Sequence, residues 1–133
     1  MKSLGIILIL LTSGYFLFVS FMNKGSLWSE YRVMAYELEG KKKNLIVAEN
    51  PDQWEKGLMS VRIPIPGVDG MIFLFPDTQE RTFWNKNTFR DLRIYWIRKG
   101  KVVNTSELPS IIKSKNVTTV SSEQPVDTVI ELY

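Results

Sequence analysis

Residues 70–76 read Gly70-Met71-Ile72-Phe73-Leu74-Phe75-Pro76, an unbroken apolar run opened by a glycine and closed by a proline. The run is too short for a globular helix and has no 3.6-residue period, so it reads as a central strand covered on both faces. Such a strand needs partners, and the flanking sequence supplies them. Downstream, Asp77–Arg81 reads as a turn and Thr82–Trp84 as a short strand. Leu92–Arg98 (LRIYWIR) sets Leu92, Ile94, Trp96 and Arg98 on one side and Arg93, Tyr95 and Ile97 on the other, the period-two pattern of a strand. Lys99-Gly100 turns the chain into Lys101–Asn104, and Val117–Ser121 and Val126–Leu132 read as the last two strands. Upstream, Val33–Glu39 and Leu45–Glu49 form a hairpin signal with Gly40-Lys41-Lys42-Lys43-Asn44 at its tip. Three lysines at a turn read as a solvated loop before they read as a polyanion contact.

One helix interrupts the strands. In Asn50-Pro51-Asp52-Gln53, the asparagine is a cap, the proline suits the first helical position, and the glutamine completes a capping box. Trp54 and Leu58, four apart, share a face, and Gly57 limits the helix to about two turns. Arg62–Asp69 is a loop stiffened by prolines that cannot donate to a ladder. Six to eight short strands with frequent turns predict an all-β domain, an antiparallel sandwich or barrel-like fold with one short helix. Trp54, Leu58, Phe73, Phe75 and Trp96 are its expected core.

A different segment precedes this domain. Leu4–Met22 (LGIILILLTSGYFLFVSFM) carries no charge over 19 residues. As a helix it reaches roughly 29 Å, close to the ~30 Å hydrocarbon thickness of a bilayer. A cleaved signal has a shorter apolar region, ~7–15 residues, followed by a small-x-small site. Here Thr12-Ser13-Gly14 falls inside the run and Ser20-Phe21-Met22 is poor at the cut. Residues 1–23 therefore read as an uncleaved N-terminal transmembrane helix, a signal-anchor that holds the protein to the membrane through residues 4–22. Residues 24–30 read as a polar tether and 31–133 as the soluble β-rich domain. Lys2 and the α-amino group balance Lys24 and Arg32 across the segment, so positive charge does not vote on orientation. A domain on a short leader is the usual design of an exported, anchored protein, and the domain is expected to be extracytoplasmic.

Composition removes whole classes of chemistry. There is no cysteine and no histidine, which excludes disulfides, thiol nucleophiles, thiolate zinc sites, imidazole ligation and Ser-His-Asp catalysis. A carboxylate-only Mg²⁺ or Ca²⁺ site stays open, but no spacing singles one out, and no metal site, cofactor or catalytic residue is assigned. The 17 Lys and Arg against 14 Asp and Glu leave a net charge of +3, too small for a nucleic-acid footprint.

The strings Glu55-Lys56-Gly57-Leu58-Met59, Gly70-Met71-Ile72-Phe73-Leu74-Phe75-Pro76 and Phe83-Trp84-Asn85-Lys86-Asn87-Thr88 follow one another in order. Together with the late Ile130-Glu131-Leu132, they resemble the domain of unknown function 192 family, over about Leu45–Leu132. That family pattern has "RGLM" after a short helix, "GMLFxF", "FWMKNT" followed by "PLDI", and "LEL". The resemblance implies a compact β-rich domain, often exported, with no established reaction. Three departures are visible. Asn85 stands where methionine is usual, and Phe89-Arg90-Asp91-Leu92-Arg93-Ile94 puts arginine where aspartate is expected. The glycine-containing tail common after "LEL" does not follow Leu132.

The motif residues divide into bland and chemical readings. Met59, Met71, Phe73, Phe75 and Trp84 are most simply core, with an apolar pocket wall as the alternative. Gly57 and Gly70 read as backbone geometry before ligand approach. Asn87 and Thr88 can cap a turn. Lys86 has no such local role. With Arg62 and Asp91 it forms either a structural ion pair or a site for a small anionic or sugar-like ligand. The candidate ligand residues are thus Arg62, Trp84, Lys86, Asn87 and Asp91, with Trp84 expected to pack inward and Lys86 to face the opening. The sequence accordingly predicts a membrane-anchored binding or accessory module of the cell envelope. The alternative is an envelope enzyme that uses carboxylate or lysine on a small anionic or sugar-like substrate.

Overall fold

The structure, a computed structural model, describes Trp28 and residues 30–133. The expected anchor (1–23) and all but Trp28 and Glu30 of the tether lie outside the described residues. Among the described residues no helix is long and apolar enough to cross a membrane. The described residues form eight strands and two short helices: β1 (Arg32–Leu38), β2 (Lys41–Ala48), α1 (Pro51–Lys56), β3 (Gly70–Gln79), β4 (Thr82–Trp84), β5 (Leu92–Arg98), β6 (Lys101–Leu108), α2 (Ile111–Ser114), β7 (Thr119–Ser121) and β8 (Val126–Leu132). Six strands make one sheet in the order β1-β2-β3-β8-β5-β6, and β4 pairs with β7 in a second.

The mostly β architecture agrees with the sequence, and four details differ. The main sheet is mixed, not antiparallel, because β2 and β3 run parallel. The segment between them, carrying α1 and the proline loop, is long enough to return the chain to the same end of the sheet. A second helix, α2, stands beside the one expected. It is a single turn, capped by Ser110, whose Oγ accepts from the Lys113 amide at 3.0 Å, and one turn leaves no periodicity to read. Lys41–Lys43 lie in β2, not at the hairpin tip. The tip is Glu39-Gly40, with φ of 53° and 77°, the left-handed pair that a two-residue hairpin requires. Finally, β3 does not stop at Pro76. It runs to Gln79 through a register break against β8 between Leu74 and Gln79, an irregularity that accommodates the missing proline N–H.

Alternation gives the six-stranded sheet two unlike faces. One carries Leu38, Leu45, Val47, Ile72, Tyr95, Ile97 and Ile130, a wholly apolar cluster apart from the tyrosine hydroxyl. That hydroxyl donates to Glu39 at 3.2 Å. Since β1 and β5 are four places apart in the strand order, the contact requires the sheet to curl over this face. The opposite face is built in rows. Ile46, Met71, Glu131 and Ile94 are successive cross-strand partners, and so are Ala48, Phe73, Val129 and Trp96.

The chain after α1 and the β4–β7 ribbon cover this second face. Phe83 of β4 sets its ring edge-on to Phe73 (4.8 Å) and Trp96 (5.4 Å). Leu58, Phe73 and Trp96 are buried as expected, each such side chain contributing about 1.5–3 kcal/mol. Trp54 and Phe75 are only half-buried. They sit at the sheet's margin, their rings 5.0 Å apart, with the Trp54 indole N–H donating to the Ala48 and Leu74 carbonyls. Asn50 caps α1 as expected, Oδ1 accepting from the Gln53 amide at 3.0 Å. Gly70 has a packing reason: a Cβ there would collide with the backbone carbonyl of Glu131 on β8.

Candidate functional site

The chain leaves α1 through Gly57, whose φ of 49° and ψ of −136° suit a residue without a side chain. Leu58 then passes over the second face of the sheet. Between this crossing and β4 lies a pocket of about 190 Å³. Trp54, Phe73, Phe83 and Trp84 supply aromatic walls, Met59 an apolar one, and Glu55, Lys56, Thr88 and Glu131 the polar groups.

Glu131 is the unusual member. The residue is 4% exposed, in a row whose other members are Ile46, Met71 and Ile94. The Leu58 amide donates to its carboxyl, and its other oxygen, Oε1, has no partner. Burial pushes the carboxyl up to about 8, against the smaller downward pull of the Leu58 amide, because the charged form is poorly solvated there. At neutral pH the group therefore mostly keeps its proton.

The expected ligand residues separate. Trp84 is 40% exposed, so it walls the pocket instead of packing wholly inward; three-residue β4 lies over the pocket, not within the main sheet. Lys86 Nζ lies 5.1 Å from the Trp84 ring centroid. Strand β4 ends at Trp84 and Lys86 belongs to the turn after it, so the turn and not strand alternation brings the two together. Among the described residues Lys86 enters no ion pair. Asn87 is exposed with φ of 53°, and its carbonyl accepts from the Ser60 amide at 2.8 Å, which holds the post-α1 loop against the turn. Arg62 stacks on Phe89 at 3.9 Å. Asp91 accepts from the Ser110 amide at 2.8 Å and pairs with Lys113 at 3.8 Å, so it tethers α2. Trp84 and Lys86 thus come together at the pocket mouth, with Asn87 beside them, while Arg62 and Asp91 serve other contacts.

A family model, DUF192, described as "Uncharacterized ACR", matches residues 34–133. The chain belongs to the DUF192 family. Two solved structures are similar to the chain. A "putative transcription regulator" from Sinorhizobium meliloti 1021 is 31% identical, with a TM-score of 0.57 over 77% of this chain and 78% of that one. A protein of unknown function from Novosphingobium aromaticivorans DSM 12444 is 21% identical, with a TM-score of 0.60 over 77% of this chain and 72% of that one, and shares the fold. No curated protein matches the chain.

Two of the departures from the DUF192 pattern now have physical accounts. Asn85 is fully buried. Its Nδ2 donates to the Pro109 carbonyl and Ser114 Oγ, and its Oδ1 accepts from the Thr118 amide, each at 2.8 Å. A buried amide is admissible when its bonds are made, and here it ties β4 to α2 and to the approach of β7. Arg93, where DUF192 members usually have aspartate, points outward and pairs with Glu107 on β6. Glu131, the pocket's most perturbed group, was not among the residues that the sequence singled out. A signal was present: alternation puts Glu131 on the face of Val129 in Val129-Ile130-Glu131-Leu132, so a carboxyl had to lie on a covered face. Among the described residues no cluster of three or more acidic, His or Cys side chains forms a metal site.

Proposed function

We propose that this DUF192 chain is a membrane-anchored, extracytoplasmic binding or accessory module of the cell envelope, and that the pocket beside α1 is where it binds. The apolar segment 4–22, with its poor cleavage sites, supports the anchor and the export. One observation carries the binding role: a buried carboxyl with an unpartnered oxygen lines a pocket beside a tryptophan that is partly open to solvent. The volume of about 190 Å³ is below the ~300–1,000 Å³ of sites for drug-sized ligands. It suits a small molecule or the head group of a larger one.

A ligand with one flat, CH-rich face, as a sugar ring has, can lie against Trp84 and extend a polar group to Glu131. An anion finds Lys86 beside Trp84 at the mouth and aromatic faces that carry partial negative charge within, so it is held at the rim. The enzyme reading keeps one specific support, since Glu55 and Glu131 place two carboxyl groups on one pocket, the minimum for acid–base work. It requires Glu131→Gln to abolish turnover while leaving substrate affinity intact. Thermal-shift screening of the full-length protein against cell-envelope metabolites tests the binding role, with the shift expected to vanish in Trp84→Ala. Carbonate extraction tests the anchor: the full-length chain should stay in the membrane pellet, and a mature N-terminus near residue 23 rejects it.

A further inference from the structure

The chemistry of the pocket narrows what enters it, provided that it is a binding site as proposed above. Glu131 Oε1 is buried and receives no hydrogen bond. Leaving such an acceptor unfilled is costly, and native proteins fill most of them. Glu131 lines a cavity, so a ligand that settles against its carboxyl can supply the missing donor.

The polar surroundings do not supply one from the protein. Thr88 Oγ1 already donates to the Lys86 carbonyl at 3.2 Å. Of the elements against Glu131, β3 and β5 present Met71, Phe73 and Ile94, none of them charged. The α1 segment contributes Glu55 and Lys56 to the lining, and Lys86 lies outside against Trp84. The remaining walls are the aromatic rings of Trp54, Phe73, Phe83 and Trp84, whose faces carry partial negative charge and attract cations.

An anion could take a hydrogen bond from the protonated carboxyl but would face the negative faces of the rings. A hydroxyl would satisfy Oε1 but brings no charge for the faces of the rings to attract. An ammonium donates to Oε1, lets the carboxyl ionise against a partner charge, and uses the aromatic walls.

We propose that the pocket takes the ammonium head of a small organic cation, with Glu131 Oε1 as its acceptor and counter-ion. Because the empty site holds its proton until about pH 8, binding at neutral pH proceeds with proton release. The carboxyl O–H bond breaks, the proton passes to solvent, and an N–H of the ammonium donates to the carboxylate oxygen in its place. Affinity therefore climbs with pH, up to about tenfold per unit below pH 8, and levels off above it.

The test uses the full-length protein and three isosteric probes, n-butylammonium, n-butanol and n-butyrate, titrated with tryptophan fluorescence and calorimetry as readouts. The expected result is that n-butylammonium binds at least about tenfold tighter than the other two. At pH 7 it should release close to one proton, seen as a dependence of the heat on buffer ionisation, and its affinity should rise between pH 6 and 8. Glu131→Gln should erase the preference for the charged probe. Should that variant fail to fold by circular dichroism, the pH profile and proton release of the wild-type chain decide alone. If n-butanol or n-butyrate binds as well as the amine, or if the amine's affinity is flat with pH, the cation assignment is overturned and the binding pocket stands. If none of the three binds, both fall.

Discussion

The two faces of the main sheet are made from the same strands, residue by alternate residue, and they do different things. On one, Leu45, Val47, Ile72, Tyr95, Ile97 and Ile130 close a continuous apolar cluster. On the other, the row Ile46–Met71–Glu131–Ile94 holds a carboxyl between side chains as apolar as any on the first. The difference of a single side chain turns one face into a floor for a pocket while the other remains packing alone. A protein needing only a core gains nothing from an unpartnered buried carboxyl. Its presence on the covered face, under a glycine crossing and beside an open tryptophan, is what separates a site from a core.

The largest expected effects show whether the pocket face is still core. Phe73→Ala should cost about 3–5 kcal/mol, and Ile130→Ala on the opposite face about 2–5 kcal/mol, both read from urea titration. Comparable losses mean that the pocket is cut into a core that both faces share. A near-neutral Phe73→Ala would break the comparison, because the pocket face would then be a loose cover.

The next effect belongs to Glu131 alone and has a definite sign. Its carboxyl stands at about 8 in the fold against an ordinary 4.5. Below about pH 4.5 it is protonated in both the folded and unfolded chain. Between 4.5 and 8 the unfolded chain gives up that proton and the folded chain keeps it, so stability falls as pH rises, then levels off. The loss should reach a few kcal/mol across the window. Glu49 and Asp77 are held low by Arg32 and Arg81. Their contribution is lost only as pH falls below the usual carboxylate range, outside this window. Urea midpoints at pH 5 and pH 8 check the slope. Glu131→Gln should flatten it, and a variant with the wild-type slope would place its origin elsewhere.

What the sequence made legible follows from how local each signal is. Leu92–Arg98, Thr82–Trp84 and the Asn50 cap rest on alternation and on bonds three residues apart, and all appear in the structure. The parallel pairing of β2 with β3 rests on where the crossover of residues 49–69 lands, which no local pattern encodes. The site shows the same division. Trp84 and Lys86 meet as two residues close in sequence can, through the turn that follows β4. Asp91 looked like a partner for Lys86, but α2, a one-turn helix without periodicity, takes it through Ser110 and Lys113. Glu131 acquires its meaning only when Gly57 and Leu58, more than seventy residues upstream, are laid over it.

A smaller effect sharpens the role of the β4–β7 cover. Removing the Asn85 side chain takes away the Thr118 amide's acceptor and the donor to Pro109 and Ser114. Leaving such buried groups unpaired costs about 1–3 kcal/mol, so Asn85→Ala should lower the urea midpoint correspondingly. Loss of slow hydrogen exchange should be confined to β4, α2 and β7 if the cover is a separate unit from the sheet. If exchange accelerates equally in β3 and β8, cover and sheet open together.

The smallest expected effect lies at the mouth of the pocket. Trp84 keeps 40% of its surface exposed, so Trp84→Ala should cost about 1–2 kcal/mol, well short of the ~3–5 kcal/mol of a buried aromatic. Lys86 is exposed and in no ion pair among the described residues, so Lys86→Ala should stay within about 0.5–1 kcal/mol. Their contact at 5.1 Å is a cation–π pair open to water, for which about 0.5–1 kcal/mol is usual, and a double-mutant cycle should return no more than that. Ligand affinity should divide the two differently. Trp84 lines the pocket and its loss should weaken binding sharply, whereas Lys86 lies on the outer side of the mouth, and its removal should leave the affinity of a cation unchanged or slightly raised. A Lys86→Ala variant that unfolds as readily as Phe73→Ala would make the lysine scaffold. A variant that stays folded and loses cation binding would move the site outward from Glu131 to the rim.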